Sequence, residues 1–174
     1  MTNELRFEII FHGPFRVGAG APAPGLDAPV NRSLLLPASS LKGLLRAEAA
    51  ERLQLPTPLV DAVFGSRKAP SAWWWSDARI AKPRIAPATR IKVDERGRAE
   101  RGFLRFSEQV WADGGSFTIE QRLPLEADEV ARHRNILVAS ALSVSSLGAS
   151  RRRGEGWVSI SCDVAVDPKA LVAT

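Results

Sequence analysis

Leu5-Arg6-Phe7-Glu8-Ile9-Ile10-Phe11 opens the chain with the pattern on which the fold turns. Phe7, Ile9 and Phe11 fall on one face and Arg6 and Glu8 on the other, the period of two of a half-buried strand. Beyond it, residues 12–37 hold five prolines and four glycines and predict a long irregular loop. Ordered loops of that length tend to be functional. Ser39-Ser40 then predicts a helix to about Leu53, either serine serving as its cap. Leu41, Leu44, Leu45, Ala49 and Leu53 lie on its apolar face. Lys42 and Arg46 share a face near the helix start, where cations oppose the helix dipole. A phosphate in front of the helix would relieve that conflict, as would ordinary solvation.

Residues 54–89 are punctuated by proline, with a short helix expected at Leu59–Phe64. Trp73-Trp74-Trp75 predicts a short strand in which at least one indole turns away from the core. Arg90 to Val110 reads as strand, turn and strand, with Glu95-Arg96-Gly97-Arg98 at the turn. Gly114-Gly115 predicts a second turn and Ser116–Leu123 another strand. A long helix is expected from Glu126 to about Leu147, with Val130, Ile136, Leu137, Leu142 and Val144 inward. A last strand follows over Trp157–Val166. Strand, helix, two strands, helix, strand is the order of an α+β, ferredoxin-like fold. The expectation is an RRM-like βαββαβ core forming one domain over residues 1–174. Residues 90–105 form an inserted basic hairpin, and a glycine-rich loop precedes the last strand. The RNP aromatic signature of RNA recognition motifs is absent.

Composition narrows the function classes. With 174 residues, 45% hydrophobic and 25% charged, the chain has the profile of a globular domain and not of a collagen, a coiled coil or a disordered tail. No apolar run approaches a membrane span, and Glu4, Arg6 and Glu8 stand where a signal peptide would need an apolar core. Cys162, alone, excludes an internal disulfide, and His12 and His133 are too few for a histidine-rich metal centre. A reduced, cytoplasmic protein is expected. The net charge of +5 is unevenly spread: residues 67–105 hold eleven Lys or Arg against four Asp or Glu. That segregation suits a polyanion along one surface, and equally a solvated basic loop.

Gly148-Ala149-Ser150-Arg151-Arg152-Arg153-Gly154-Glu155-Gly156 combines glycines that permit close backbone approach with forked phosphate donors. It lacks the ending of a Walker loop. Asp27, in the Pro/Gly loop beside Arg32, reads either as a turn former or as a carboxylate for Mg²⁺ or proton transfer. His12 is a candidate base, or a hydrogen-bonded structural residue.

Several blocks together resemble the RAMP superfamily of CRISPR-associated proteins, and within it the repeated backbone subunit of type III effector complexes. They are residues 13–18 after the first strand, Gly25-Leu26-Asp27-Ala28-Pro29-Val30-Asn31-Arg32, Leu36 to Arg46, Val63-Phe64-Gly65, Ser76-Asp77-Ala78 and Leu147 to Val158. The resemblance implies a subunit stacked with copies of itself along CRISPR RNA, beside other effector subunits, with no membrane partner. Ser39, Ser40, Lys42, Arg46, Gly148, Ser150, Arg151, Arg152 and Arg153 would hold the guide backbone, together with Arg16 and Arg32. The hairpin, carrying Arg90 and Lys92, would be a thumb between guide and target. Asp27 would be the catalytic and metal-binding residue, cutting target RNA with Mg²⁺ or another divalent ion. The alternatives are a catalytically silent RNA scaffold, a CRISPR RNA processing nuclease using His12, and a small-molecule phosphate-binding enzyme. Ala149 departs from the family loop, where a second glycine is frequent, and the hairpin is compact.

Overall fold

A computed structural model describes residues 3–18, 20 and 24–167. The first strand, β1 (Glu4–Phe11), alternates without a break: Leu5, Phe7, Ile9 and Phe11 are buried and the residues between them exposed. It lies inside an antiparallel sheet. β6 (Gly114–Gln121) flanks it on one side and β7 (Val158–Cys162) on the other, setting Phe7 opposite Phe117 and Ile9 opposite Ile160. The Phe7 and Phe117 rings stack at 4.8 Å. β2 (Trp73–Trp75) and β3 (Arg79–Ile80) pair with the far edge of β6, giving the order β2-β6-β1-β7. A separate two-stranded ribbon is formed by β4 (Arg84–Val93) and β5 (Ala99–Trp111).

Among the described residues, three α-helices complete the α+β fold. α1 (Ala38–Ala47) buries Leu41 and Leu45, and runs into a π-helical turn, Glu48–Arg52, closed by the Leu53 N–H on the Glu48 carbonyl at 2.9 Å. α2 (Thr57–Phe64) buries Val60, Val63 and Phe64. α3 (Ala127–Ser143) starts in a capping box between Glu126 and Glu129 and buries Ile136, Leu137, Val138 and Ala141. These side chains join the inward row of β1 in one apolar core. No helix among the described residues is long and apolar enough to cross a membrane.

Several elements depart from the sequence expectation. α3 stops at Ser143, not near Leu147, because Ser145 and Ser146 turn extended to meet the last strand: Val158 N–H donates to the Ser145 carbonyl and Ser146 bridges Trp157. Leu142, expected inside, is 46% exposed. Gly114 and Gly115 form no turn; they open β6. A Cβ at Gly115 would lie 3.0 Å from the Arg79 carbonyl, so glycine lets β3 come close there. The basic hairpin is longer than residues 90–105, spanning 84–111, and the last strand is shorter than expected. After β7 the chain leaves the sheet, and the Asn135 side-chain amide holds the Asp167 backbone by two hydrogen bonds of 2.7 and 2.8 Å.

The tryptophan triplet alternates as its strand requires. Trp73 and Trp75 are buried, and Trp74 is exposed beneath the Arg122 guanidinium. The Trp73 indole N–H donates to Nδ1 of buried His133 on α3 at 3.1 Å, tying helix to sheet. Burial pushes the His133 imidazole below its ordinary pKa of 6.5; Glu129 opposes the shift and Arg132 adds to it. The unfolded chain therefore takes up the proton first as pH falls, so this contribution to stability is complete above pH 6.5 and declines below it. His133→Gln, which retains an acceptor and cannot titrate, should flatten the fall in melting temperature between about pH 7 and pH 5. Parallel wild-type and variant melting curves would refute the assignment.

Candidate nucleic-acid interface

The loop carrying Asp27 is stitched to β5. Asp27 N–H donates to the Phe106 carbonyl and Phe106 N–H returns a bond to Asp27 Oδ2, both at 2.8 Å. Glu108 N–H donates to the Ala28 carbonyl, and Ala28 bridges Ser107 in parallel. The Glu108 carboxylate, 6% exposed, accepts from Val30 N–H at 3.1 Å and from Arg32 at 2.5 Å. Segment 27–30 thus lies along β5, held by one isolated bridge and these hydrogen bonds, with Asp27 exposed. Arg32, expected on RNA, forms an ion pair with Glu108 while its side chain stays largely exposed.

The glycine-rich loop packs on the same hairpin. Arg90 of β4 donates to Ser150 Oγ at 3.2 Å and forms an ion pair with Glu155, while Arg16 reaches Ser150 Oγ at 3.4 Å. Glu155 is 7% exposed, so its charge needs this partner. The loop glycines have a cause within the chain. Gly148 (φ +77°) is so close to Arg16 that a Cβ would stand 2.4 Å from its carbonyl oxygen. At Gly156 (φ +76°) the corresponding distance to the Leu147 carbonyl is 1.9 Å. Ala149 N–H donates to the Arg16 carbonyl and Gly156 N–H to that of Pro14, at 2.8 and 2.7 Å. The 3₁₀ turn Arg151–Arg153 leaves Arg151 and Arg153 exposed and without an ion pair among the described residues. The Arg152 side chain lies outside the described residues.

The start of α1 forms a second cluster. Neither Ser39 nor Ser40 caps the helix by a side-chain bond. Asp77, distant in sequence, accepts from Ala38 N–H at 2.7 Å. This carboxylate answers the helix dipole. Lys42 lies over the Trp75 ring at 4.9 Å, its pKa lowered by burial and then by the nearby Arg46 charge. Arg46 is held by Asp61 and by the Gly65 carbonyl. Lys92 pairs with Glu100 at 2.8 Å and covers the Phe103 ring.

The two clusters sit on different edges of the sheet and at different levels along it, the glycine loop where β1 finishes and the α1 start level with Arg6 to Glu8. The glycine loop is tied to β1 and β7: His12 N–H donates to the Trp157 carbonyl. The α1 start is tied to the β2–β3 side, where Ala78 N–H donates to the Leu36 carbonyl. β2 and β7 are three strand spacings apart, about 14 Å. No hydrogen bond or ion pair among the described residues joins the two clusters directly. His12 binds Ser159 Oγ through Nε2 at 2.7 Å. Among the described residues no group of three His, Cys, Asp or Glu could hold a metal. Asp27 therefore offers one carboxylate, enough only for an ion that takes its other ligands from a phosphate and water.

The sequence did not assign the anchoring roles of Glu108, Asp77 or Glu155, which fix these elements. Glu108 carried a signal in its period: it is a charge two positions from buried Val110 on β5.

The RAMP superfamily pattern matches residues 8–159. The chain belongs to the RAMP superfamily. Two solved structures show the same fold in this RAMP protein. A chain of the type III-B Cmr-beta complex in its apo state superposes with a TM-score of 0.73 at 14% identity, covering 94% of this chain and 98% of that one. A chain of type III-B Cmr-beta bound to cognate target RNA gives 0.70, also at 14% identity, covering 91% and 96%. Comparison with curated proteins finds no match.

The two kinds of loop glycine can be separated by experiment. A Cβ at Gly154 (φ +82°) meets nothing within 4 Å. Gly154→Ala should cost only the left-handed backbone, about 1–2 kcal/mol, whereas Gly156→Ala adds a clash and should cost several times more in denaturant unfolding. Equal losses would mean that Gly156 is not held by the Leu147 backbone.

Proposed function

We propose that this RAMP protein is the RNA-binding backbone subunit of a type III CRISPR effector complex, and that it cuts guide-paired target RNA at Asp27. The carrying observation is the double attachment of the hairpin: segment 27–30 is bonded along β5, and Arg90 of β4 is fastened to Ser150 and Glu155 of the glycine loop. The fold shared with Cmr-beta chains supports membership of an effector complex. In this reading residues 1–174 are one ferredoxin-like βαββαβ unit, with β4 and β5 as the inserted thumb. Copies stack along CRISPR RNA in the cytoplasm.

Guide phosphates lie against Arg151 and Arg153, and against Ser39, Ser40 and Lys42 at the other edge. Arg16, Arg32, Arg46 and Arg90 shape the interface from within, since each is occupied by a protein partner. At the cleavage point the 2′-hydroxyl attacks the adjacent phosphate, a 2′,3′-cyclic phosphate forms and the 5′-oxygen leaves with a solvent proton. Asp27 Oδ1 accepts the 2′-hydroxyl proton, while the Phe106 N–H on Oδ2 fixes the carboxylate. Were Asp27 instead to hold a divalent cation, that ion would supply polarisation of the scissile phosphate. The hairpin presents its arginines to the charge that develops there.

The silent scaffold is favoured by one observation: Asp27 already serves as an acceptor for a backbone N–H, a structural task that needs no chemistry. Asp27→Asn in a reconstituted complex separates the two. On the cleaving reading, target cuts fall at least a hundredfold and target affinity is unchanged; undiminished cutting eliminates Asp27 as the base. The RNA contacts have their own test. Replacing Lys42 and Arg151 together with Gln should make the log–log salt dependence of guide binding shallower by about 1.4. An unaltered slope would count against both readings.

A further inference from the structure

Where the hairpin joins the sheet, a cavity of about 410 Å³ opens between Phe11, His12, Gly13, Lys82, Arg84 and Trp111, with Ala112 and Asp113 closing it. None of the residues of the glycine loop, the α1 start or the Asp27 segment lines it. Its lining sets two cations beside an aromatic ring. Arg84 and Trp111 are register partners across β4 and β5, so guanidinium and indole stand side by side on one face. Trp111 is 38% exposed, an apolar ring left open to solvent. Lys82 and Arg84 are exposed and have no ion pair among the described residues.

The backbone is strained at the same point. Lys82 has φ +46°, in the left-handed region, although it is not glycine and precedes Pro83. The residue before proline favours extended backbone, and strain of this kind gathers at functional sites. Turned this way, Lys82 joins Arg84 in lining the cavity. His12 is steadied by Ser159, and Asp113 adds a carboxylate able to accept from a base amine. A bare anion would leave the indole unused, and an apolar ligand would leave two cations unpaired.

We propose that this cavity is a nucleotide subsite for single-stranded RNA, taking a base on Trp111 and its phosphate on Lys82 and Arg84. It rests on the RNA-binding reading for the identity of the strand, and it is spatially separate from the groups that reading uses. One nucleotide fits a cavity of this size, and an aromatic face beside cations is the usual platform for single strands.

The test uses the full chain, an adenylate hexamer, adenosine monophosphate and inorganic phosphate. The Trp111 indole N–H, assigned by its loss in Trp111→Phe, is followed by NMR. The hexamer should move this signal at lower concentration than the monophosphate, and inorganic phosphate should leave it in place. Arg84→Gln and Lys82→Gln should each weaken the hexamer-dependent shift, and Trp111→Leu should weaken hexamer binding about tenfold. Arg84→Gln, on an exposed strand edge, stays informative if Trp111→Leu does not fold. Equal response to hexamer and monophosphate overturns the strand assignment; a response to inorganic phosphate alone overturns the base contact. An indole that does not move, with Arg84→Gln affinity unchanged, overturns the site. The Lys42/Arg151 variant should retain the indole shift, so failure of this proposal and failure of the guide-binding reading give different results.

Discussion

A buried carboxylate must find hydrogen-bond donors or lose its charge, and Glu108 finds them in the loop that carries Asp27. Val30 N–H and the Arg32 guanidinium take its two oxygens. The loop crosses 26 residues that are rich in proline and glycine, and its described residues form no helix or long strand to order it. Its second half is placed by this anchor and by the backbone bonds of Asp27 and Ala28 to β5, as its first half is by the bonds of Phe15 to Val110 and of Pro14 and Arg16 to the glycine loop. Remove the carboxylate and the buried Val30 N–H loses its acceptor while the loop loses its ion pair to Arg32. The position of Asp27 is therefore a property of the hairpin.

The hairpin is also bound to the glycine loop. Arg90 lies opposite Arg105 in a ribbon with few side chains to spread that charge, and the Glu155 carboxylate offsets it. Ser150 then accepts from Arg16 and Arg90 at once. Three segments distant in sequence, around residues 16, 90 and 150, meet at one hydroxyl. The glycines at 148 and 156 permit this meeting by letting backbones approach where a Cβ would collide. Their presence reflects packing within the chain before any ligand arrives.

What the sequence made legible was local and periodic. The strict alternation of residues 4–11 survives in the sheet, and the tryptophan triplet divides as a strand must. The apolar face of α1 is the buried one. Pairings over long distances were not legible. Ser39 and Ser40 are good caps by type, but the cap comes from Asp77, thirty-nine positions away. Gly114-Gly115 has the composition of a turn, yet the proximity of β3 decides its use. The end of α3 is set by the need of Ser145 and Ser146 to pair with the last strand, which helical periodicity cannot register. At the site, residue type identified Asp27 and the glycine loop. It did not distinguish Arg151, which has no ion pair among the described residues, from Arg46 and Arg32, which are paired with Asp61 and Glu108.

That distinction bears on how charge serves binding here. The middle segment carries the cationic excess, but its members differ in what they can offer a phosphate. Lys92 shares its charge with Glu100, and Arg90 with Glu155. Lys82 and Arg84 have no such partner among the described residues. An arginine already paired must exchange one carboxylate for another anion, and the gain is the difference between two similar interactions. An unpaired one gives up only water and counterions. Affinity for a polyanion should therefore concentrate at the free cations on the glycine turn and the hairpin base, while the paired arginines hold the backbone that presents them. Net charge by itself would have assigned both groups the same task.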